Sequence, residues 1–161
     1  MSHLLFHLDA NAVNARQSDP YLNELERLAS IGAVELEYSE VAYDEAEHGN
    51  GIRKAKAERL TWAGLSHQPD LEDSWRTLIA DAVFPNGTIT ASQRNDVEIL
   101  LTAKIAGAIL VTTDGDSKSQ PRGILGSKRA LDALGIKVAT PAEALELASA
   151  AGNGISKFNI G

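Results

Sequence analysis

Cysteine is absent from the 161 residues. That excludes a disulfide framework and every thiolate metal site, and it is compatible with a reducing cytosol. Long hydrophobic runs are missing as well. The apolar stretch at residues 4–8 is too short for a signal-peptide core, has no Lys or Arg before it and contains His7; nothing later reaches the length of a membrane span. A cytoplasmic protein without membrane contact is the expectation. Positive charge is scarce, with 15 Lys and Arg against 22 Asp and Glu, a net charge of -7. This balance speaks against a binder that grips phosphates with cations alone, because such affinity comes from Lys and Arg displacing condensed counterions. It leaves room for a carboxylate site that meets phosphates through bound divalent cations, with basic side chains elsewhere holding the strand.

Several catalytic signatures are also lacking. There is no Gly-x-x-x-x-Gly-Lys-Ser/Thr loop, no Gly-x-Gly-x-x-Gly after a strand, no His-Glu-x-x-His and no Gly-x-Ser-x-Gly. His3, His7, His48 and His67 do not have ligand spacing and read as surface or satisfied core histidines.

What is present describes an ordinary globular chain. An apolar fraction of 43% and a charged fraction of 23% predict one packed domain, spanning residues 1–151 with a helical insert at about 50–90 and a loose tail at 152–161. The first apolar segment is continuous and stops at Asp9, as in a strand buried on both faces of a parallel sheet. Asp19-Pro20 opens a helix that Gly32 ends. Val34, Leu36 and Tyr38 alternate with Glu35 and Glu37 in a half-buried strand, and Ser39 can cap a helix running to His48-Gly49. Helices are expected at 52–65 and 71–84, and another from Ser92 to about Gly107. A buried strand at 109–112 then ends at Thr113-Asp114-Gly115-Asp116. A helix near 124–134, a strand at 136–139 and a Thr140-Pro141-Ala142-Glu143 capping box before a final helix complete the chain. Strands alternating with helices imply an α/β fold, a mostly parallel sheet covered on both faces, with right-handed crossovers that bring the C-terminal strand ends to one ligand-binding edge.

The carboxylates concentrate where that architecture places chemistry. Asp9 and Asp114 end buried strands, with Asp116 beside the latter across Gly115. Glu45 interrupts a helical face otherwise made of Tyr38, Val41, Ala42 and Gly49; Asp96 shares a face with Ile99, Leu100, Ala103 and Gly107. Each acid alone has a plainer reading: a turn or cap for Asp9, a boundary residue for Glu45, first-turn charge for Asp96, a polar turn for Asp114 and Asp116. Together they repel one another unless a hard cation sits between them. With Mg²⁺ or Mn²⁺ such a cluster activates water for in-line attack at phosphorus. Asp9 and Asp114 are the expected direct ligands, and Asp96, Asp116 and Glu45 complete the site. Catalytic roles fall to Asp9, Glu45, Asp96 and Asp114. Substrate contacts fall to Asn11, Thr112, Lys118 and Arg122, whereas Arg53, Lys54, Lys56 and Arg59 read as a solvated helix face.

With these residues in view, the sequence resembles the PIN-domain family, which includes the toxin ribonucleases of VapC-type toxin–antitoxin pairs. Leu8-Asp9-Ala10-Asn11 is similar to the family's opening strand and Asp-x-Asn. Ser39 through Ala46 is similar to the segment whose later Glu is functional, and Asn95-Asp96 through Ala106-Gly107 to the Ala-rich helix preceded by an Asp. Thr112-Thr113-Asp114 matches Thr-x-Asp, and Gly135 through Leu145 the last strand and helix. Where the family has an aromatic residue shortly after Thr-x-Asp, Ser117-Lys118-Ser119 stands instead, and the helical middle is longer than in a minimal toxin. The resemblance implies a three-layer α/β/α sandwich, Mg²⁺ or Mn²⁺ dependence, endoribonuclease activity on RNA, frequent homodimerisation and an antitoxin protein as partner. Two rivals stand beside it: a non-catalytic binding module on the same fold, and an aspartyl phosphotransferase or phosphatase with Asp9 as nucleophile, which lacks a positioned later Lys.

Overall fold

Among the described residues, five short strands form one sheet in the order β3-β2-β1-β4-β5, parallel throughout. They are β1 (Leu5–Leu8), β2 (Glu35–Tyr38), β3 (Thr61–Trp62), β4 (Ile109–Val111) and β5 (Lys137–Ala139). The helices are α1 (Pro20–Ser30), α2 (Pro69–Val83), α3 (Ala91–Ala106), α4 (Gly123–Gly126), α5 (Lys128–Ala133) and α6 (Pro141–Phe158). The computed structural model describes residues 4–9, 11–12, 19–39, 41–42, 61–62, 69–87, 89–115 and 123–158, and of 61–62, 69–70 and 152–158 the backbone alone.

Strand register shows why the sheet is covered on both sides. Phe6 lies opposite Leu36, and Leu8 opposite Val111, so these four and Tyr38 share one face, all buried. His7, Leu110 and Val138 share the other and are buried too. Continuous apolar strands are what a sheet with helices on both faces requires. The helices form two layers. α1 packs against α6, while α2 packs against α3 and α5. The chain steps from β1 to β2 and β3 toward one edge, then back across to β4 and β5. Right-handed crossovers in opposite directions lie on opposite faces, which accounts for the two layers. The result is the expected three-layer α/β/α sandwich.

Local signals act as the sequence predicts at most helix ends. Asp19 accepts hydrogen bonds from the Tyr21 and Leu22 N–H groups at 2.9 and 3.2 Å, with Pro20 in the first turn. Ser39 Oγ accepts from Ala42 N–H at 3.1 Å, opening the helical turn at Val41 and Ala42. Thr140 and Glu143 form the capping box of α6, each backbone N–H donating to the other's side chain, at 3.2 and 3.1 Å. α3 starts slightly earlier than expected, behind a Thr90–Gln93 capping box.

Three expectations need correction. The helix predicted over 52–65 contains β3, which pairs with the open edge of β2, Glu37 opposite Thr61 and Tyr38 opposite Trp62. A two-residue strand leaves no periodic signature, and β-branched Thr with aromatic Trp suits a pleated surface. The other residues of that expected helix, and of the one after Ser39 beyond Ala42, lie outside the described residues. The helix predicted at 124–134 is divided into α4 and α5 at Ser127, whose Oγ turns back to donate to Gly123 O at 3.1 Å. The tail expected to be loose from Gly152 continues α6 to Phe158; once a helix is nucleated, each residue adds a bond, and the ~1 kcal/mol cost of each Gly slows but does not stop it.

Two long side chains fasten the layer that carries α3. Arg76 of α2 bonds Glu98 of α3, with Asp73 as a second partner at 2.8 Å. Lys104 of α3 donates to Leu134 O at 2.8 Å while its ammonium lies 3.9 Å above the Trp75 ring, a cation–π contact that also covers the aromatic face.

Candidate active site

β1 and β4 are neighbours whose onward connections leave in opposite directions, which makes the gap between their carboxyl ends the topological switch point of the sheet. Ligands of open α/β sheets bind there. Asp9 follows β1 directly. Its N–H donates to Val111 O at 3.0 Å, extending the ladder one residue beyond the strand, and only 3% of the residue is exposed. Thr112 follows β4; its N–H donates to Ala139 O at 3.0 Å, and it is 0% exposed. Between them runs a short bond, Thr112 Oγ1 donating to Asp9 Oδ2 at 2.7 Å. The same Oγ1 accepts from the Asp114 N–H at 3.1 Å.

Asp114 is half-buried and held from its far side by the first turn of α4. Its Oδ2 accepts from Ile124 N–H at 3.1 Å and its carbonyl from Leu125 N–H at 3.0 Å. The chain that departs at Gly115 thus returns to the same point at Gly123. The approach is so close that a Cβ on Gly123 would lie 2.7 Å from Gly115 Cα, and Gly123 has φ 43°. Glycine is required there on both counts.

A buried carboxylate is costly unless hydrogen-bonded or paired, and Asp9 is tied through one hydroxyl to a turn bearing a second acid. Such a pair suits a divalent cation between its members. Mg²⁺ commonly takes one or two carboxylates and keeps its remaining waters, and Asp9 and Asp114 offer oxygen donors of the type a hard cation takes. Among the described residues, no three His, Asp or Glu side chains lie close enough to share an ion.

Asp96 stands on α3, half-buried, on the face whose Ile99, Leu100 and Ala103 are buried as expected. Glu98 points elsewhere and meets Arg76. α3 ends at left-handed Gly107 and hands over to β4 two residues later, so its N-terminal half lies toward the carboxyl edge. Asn11 is exposed in a helical turn after Asp9. Thr112, expected to meet the substrate, is fully buried, its hydroxyl bonded to the Asp9 carboxylate and the Asp114 N–H. Glu45, Asp116, Lys118 and Arg122 lie outside the described residues.

Two features of this region escape sequence reasoning. One is the support of Asp114 by α4, whose only trace in the sequence is the pair Gly115 and Gly123. The other is His7, 1% exposed, whose Nε2 lies 3.1 Å from Glu37 Oε2. Burial pushes the His7 pKa below its ordinary value, against the pull of the neighbouring Glu37 carboxylate. Its Nδ1 has no partner among the described residues, so this core histidine is half satisfied.

No protein-family profile and no curated protein matches the chain. Among solved structures it is similar to that of VapBC2 from Rickettsia felis bound to a DNA fragment from their promoter, with a TM-score of 0.52 and 17% identity, over 85% of this chain and 98% of that one. FitAB bound to an IR36 DNA fragment gives a TM-score of 0.48 and 18% identity, over 84% of this chain and 94% of that one. At such identities the first likeness is one of fold: the same layered α/β arrangement, matched over nearly the whole of the other chain.

Proposed function

We propose that this chain is a metal-dependent endoribonuclease that hydrolyses RNA phosphodiester bonds at the carboxyl ends of β1 and β4. The observation that carries the reading is the pair Asp9 and Asp114, joined through buried Thr112 at the switch point of the sheet. Asp9 and Asp114 hold Mg²⁺ or Mn²⁺, with Asp116 completing the set and Asp96 acting through metal-bound water. The cation, when bound, offsets charge at phosphorus and eases deprotonation of the attacking water.

The remaining work belongs to the chain's own groups. Asp96 and Glu45 orient the water from the two helical sides, Lys118 and Arg122 grip flanking phosphates, and Asn11 meets the substrate beside Asp9. RNA as substrate follows from the PIN-type motifs. The fold likeness to VapBC2 supports membership in a toxin–antitoxin pair with an antitoxin protein as partner; a homodimeric toxin and a cytoplasmic setting belong to the proposal through the sequence resemblance alone. Among the described residues no helix is long and apolar enough to cross a membrane.

The test is cleavage of single-stranded and structured RNA by purified protein in Mn²⁺, Mg²⁺ or EDTA, beside Asp9→Asn and Asp114→Asn proteins prepared identically. Metal-dependent cleavage lost in both variants is expected. Equal cleavage by all three preparations identifies a contaminant and sinks the assignment.

A further inference from the structure

We propose that the open edge of β5 is a joining surface for a second copy of this chain, the two β5 strands lying antiparallel about a two-fold axis at Val138 so that the two sheets run on into one another. A homodimer belongs to the reading above; its surface and register are inferred here, and they stand apart from the nuclease assignment. β5 ends the sheet, and a groove of about 780 Å³ runs along its free side between α5 and α6. Edge strands present unpaired main-chain groups. Ala139 O is taken by Thr112 N–H at 3.0 Å, so Ala139 is turned toward β4. Successive residues of a strand turn opposite ways, which leaves the N–H and C=O of Val138 facing the groove. Pairing stops on either side of it, because Ile136 N–H is bonded to Leu131 O at 3.0 Å and Thr140 N–H to Glu143 Oε1 at 3.2 Å. A free donor and a free acceptor on one residue complement themselves. Two copies of Val138 brought face to face exchange both bonds, and Lys137 then lies opposite the small Ala139 of the second copy.

The charged rim of the groove has the same property. Arg129 and Lys137 supply two cations and Asp132 and Glu146 two carboxylates, all of them exposed and none with an ion-pair partner among the described residues. Lys128 and Glu143, by contrast, are joined to each other at 2.5 Å across the groove. An isologous interface sets each group of one copy against a different group of the other, so a rim with two unpaired charges of each sign fits itself. The whole chain carries a charge of -7, and two copies repel each other over most of their surface. This rim is neutral, so they meet here without that cost. Leu147, 45% exposed, and Ala150, three residues further on, stand on the wall of α6 that lines the groove. A second copy laid along the edge takes their apolar surface out of water.

The experiment is sedimentation equilibrium of the full-length protein from about 1 μM to about 1 mM, a range that covers weak and moderate dimers, with thermal melts as a control of folding. Beside the native chain run two double variants, Arg129→Glu with Lys137→Glu and Asp132→Lys with Glu146→Lys, each alone and then mixed in equal amounts. The first makes the rim wholly acidic and the second wholly basic. The native chain is expected to dimerise, and each variant alone to dissociate at least about 10-fold more readily, since its rim then faces its own sign. The mixture is expected to dimerise at least as tightly as the native chain. A native chain that stays monomeric throughout overturns the proposal and leaves the groove to an occupant of another kind. A native dimer that neither variant weakens, or a mixture that stays monomeric, also overturns it, and the first of these keeps the homodimer while moving its surface elsewhere. If a double variant does not melt cooperatively, Leu147→Asp takes its place, and a native-like dimer in that variant overturns the proposal equally. RNA cleavage is measured separately, so failure of the nuclease reading and failure of this surface are told apart.

Discussion

Glycine serves different ends at the two edges of the sheet. At the amino edge, where helices hand over to strands, Gly32, Gly107 and Gly135 adopt φ of 76°, 67° and 77°. Among the described residues a Cβ at Gly32 or Gly107 would meet nothing within 4 Å, and at Gly135 only the flexible Lys104 Nζ at 3.3 Å. These glycines are present for their dihedral angles alone, ending a helix in the left-handed conformation. At the carboxyl edge Gly123 combines a positive φ with a backbone contact on Gly115 that no side chain fits. The amino edge is closed by local conformation; the carboxyl edge is assembled by contact between segments, and the candidate chemistry sits only on the second.

The widest break between the edges is expected from Asp9→Asn. RNA cleavage should fall by at least about 100-fold, beyond what residues that merely orient metal ligands contribute. An Asp9→Asn protein that cleaves at the native rate would remove the carboxyl edge from consideration as the site.

Gly123→Ala comes next. The strained φ and the backbone overlap together should lower stability by about 2–4 kcal/mol in urea unfolding, and Mn²⁺ affinity should drop because Asp114 is displaced with Gly115. Gly107→Ala, by contrast, should cost about 1–2 kcal/mol for the left-handed φ alone and leave Mn²⁺ binding unchanged. Equal costs, or equal loss of Mn²⁺ binding, would erase the distinction between the edges.

The smallest effect is expected in mid-strand, at His7. Its folded pKa is depressed by burial, so below about pH 6.5 the unfolded chain takes up a proton there that the folded chain refuses. Stability from neutral His7 is therefore fully present above about pH 6.5 and is lost as the pH falls from there toward the folded value. Melting temperature should decline between about pH 7.5 and 5.5, and His7→Gln should flatten part of that decline. An unchanged slope in His7→Gln would assign the decline to other groups.

What the sequence determined by itself lies within a few residues along the chain. Asp19 caps the two amides that follow it, Thr140 and Glu143 cap each other, and Gly107 ends α3, since each of these partners is at most four positions away. The strands around Leu8 and Leu110 were legible because helices on both faces leave them nearly continuous apolar runs, interrupted only by His7 in the first, and for the same reason Asp9 and Asp114 stood out beyond their ends. The face of Asp96 was readable from the helical repeat. Tertiary structure alone decided that Thr61 and Trp62 join the open edge of β2, where local periodicity pointed to a helix. It alone decided that Thr112 is buried between two acids, bonded to a carboxylate 103 residues away, and that Gly123 closes on Gly115. Propensity and capping depend on spacings of one to four residues and are written in order along the chain. Which groups meet across a sheet depends on strand order, register and crossover direction, and those follow from packing both faces of the whole sheet at once.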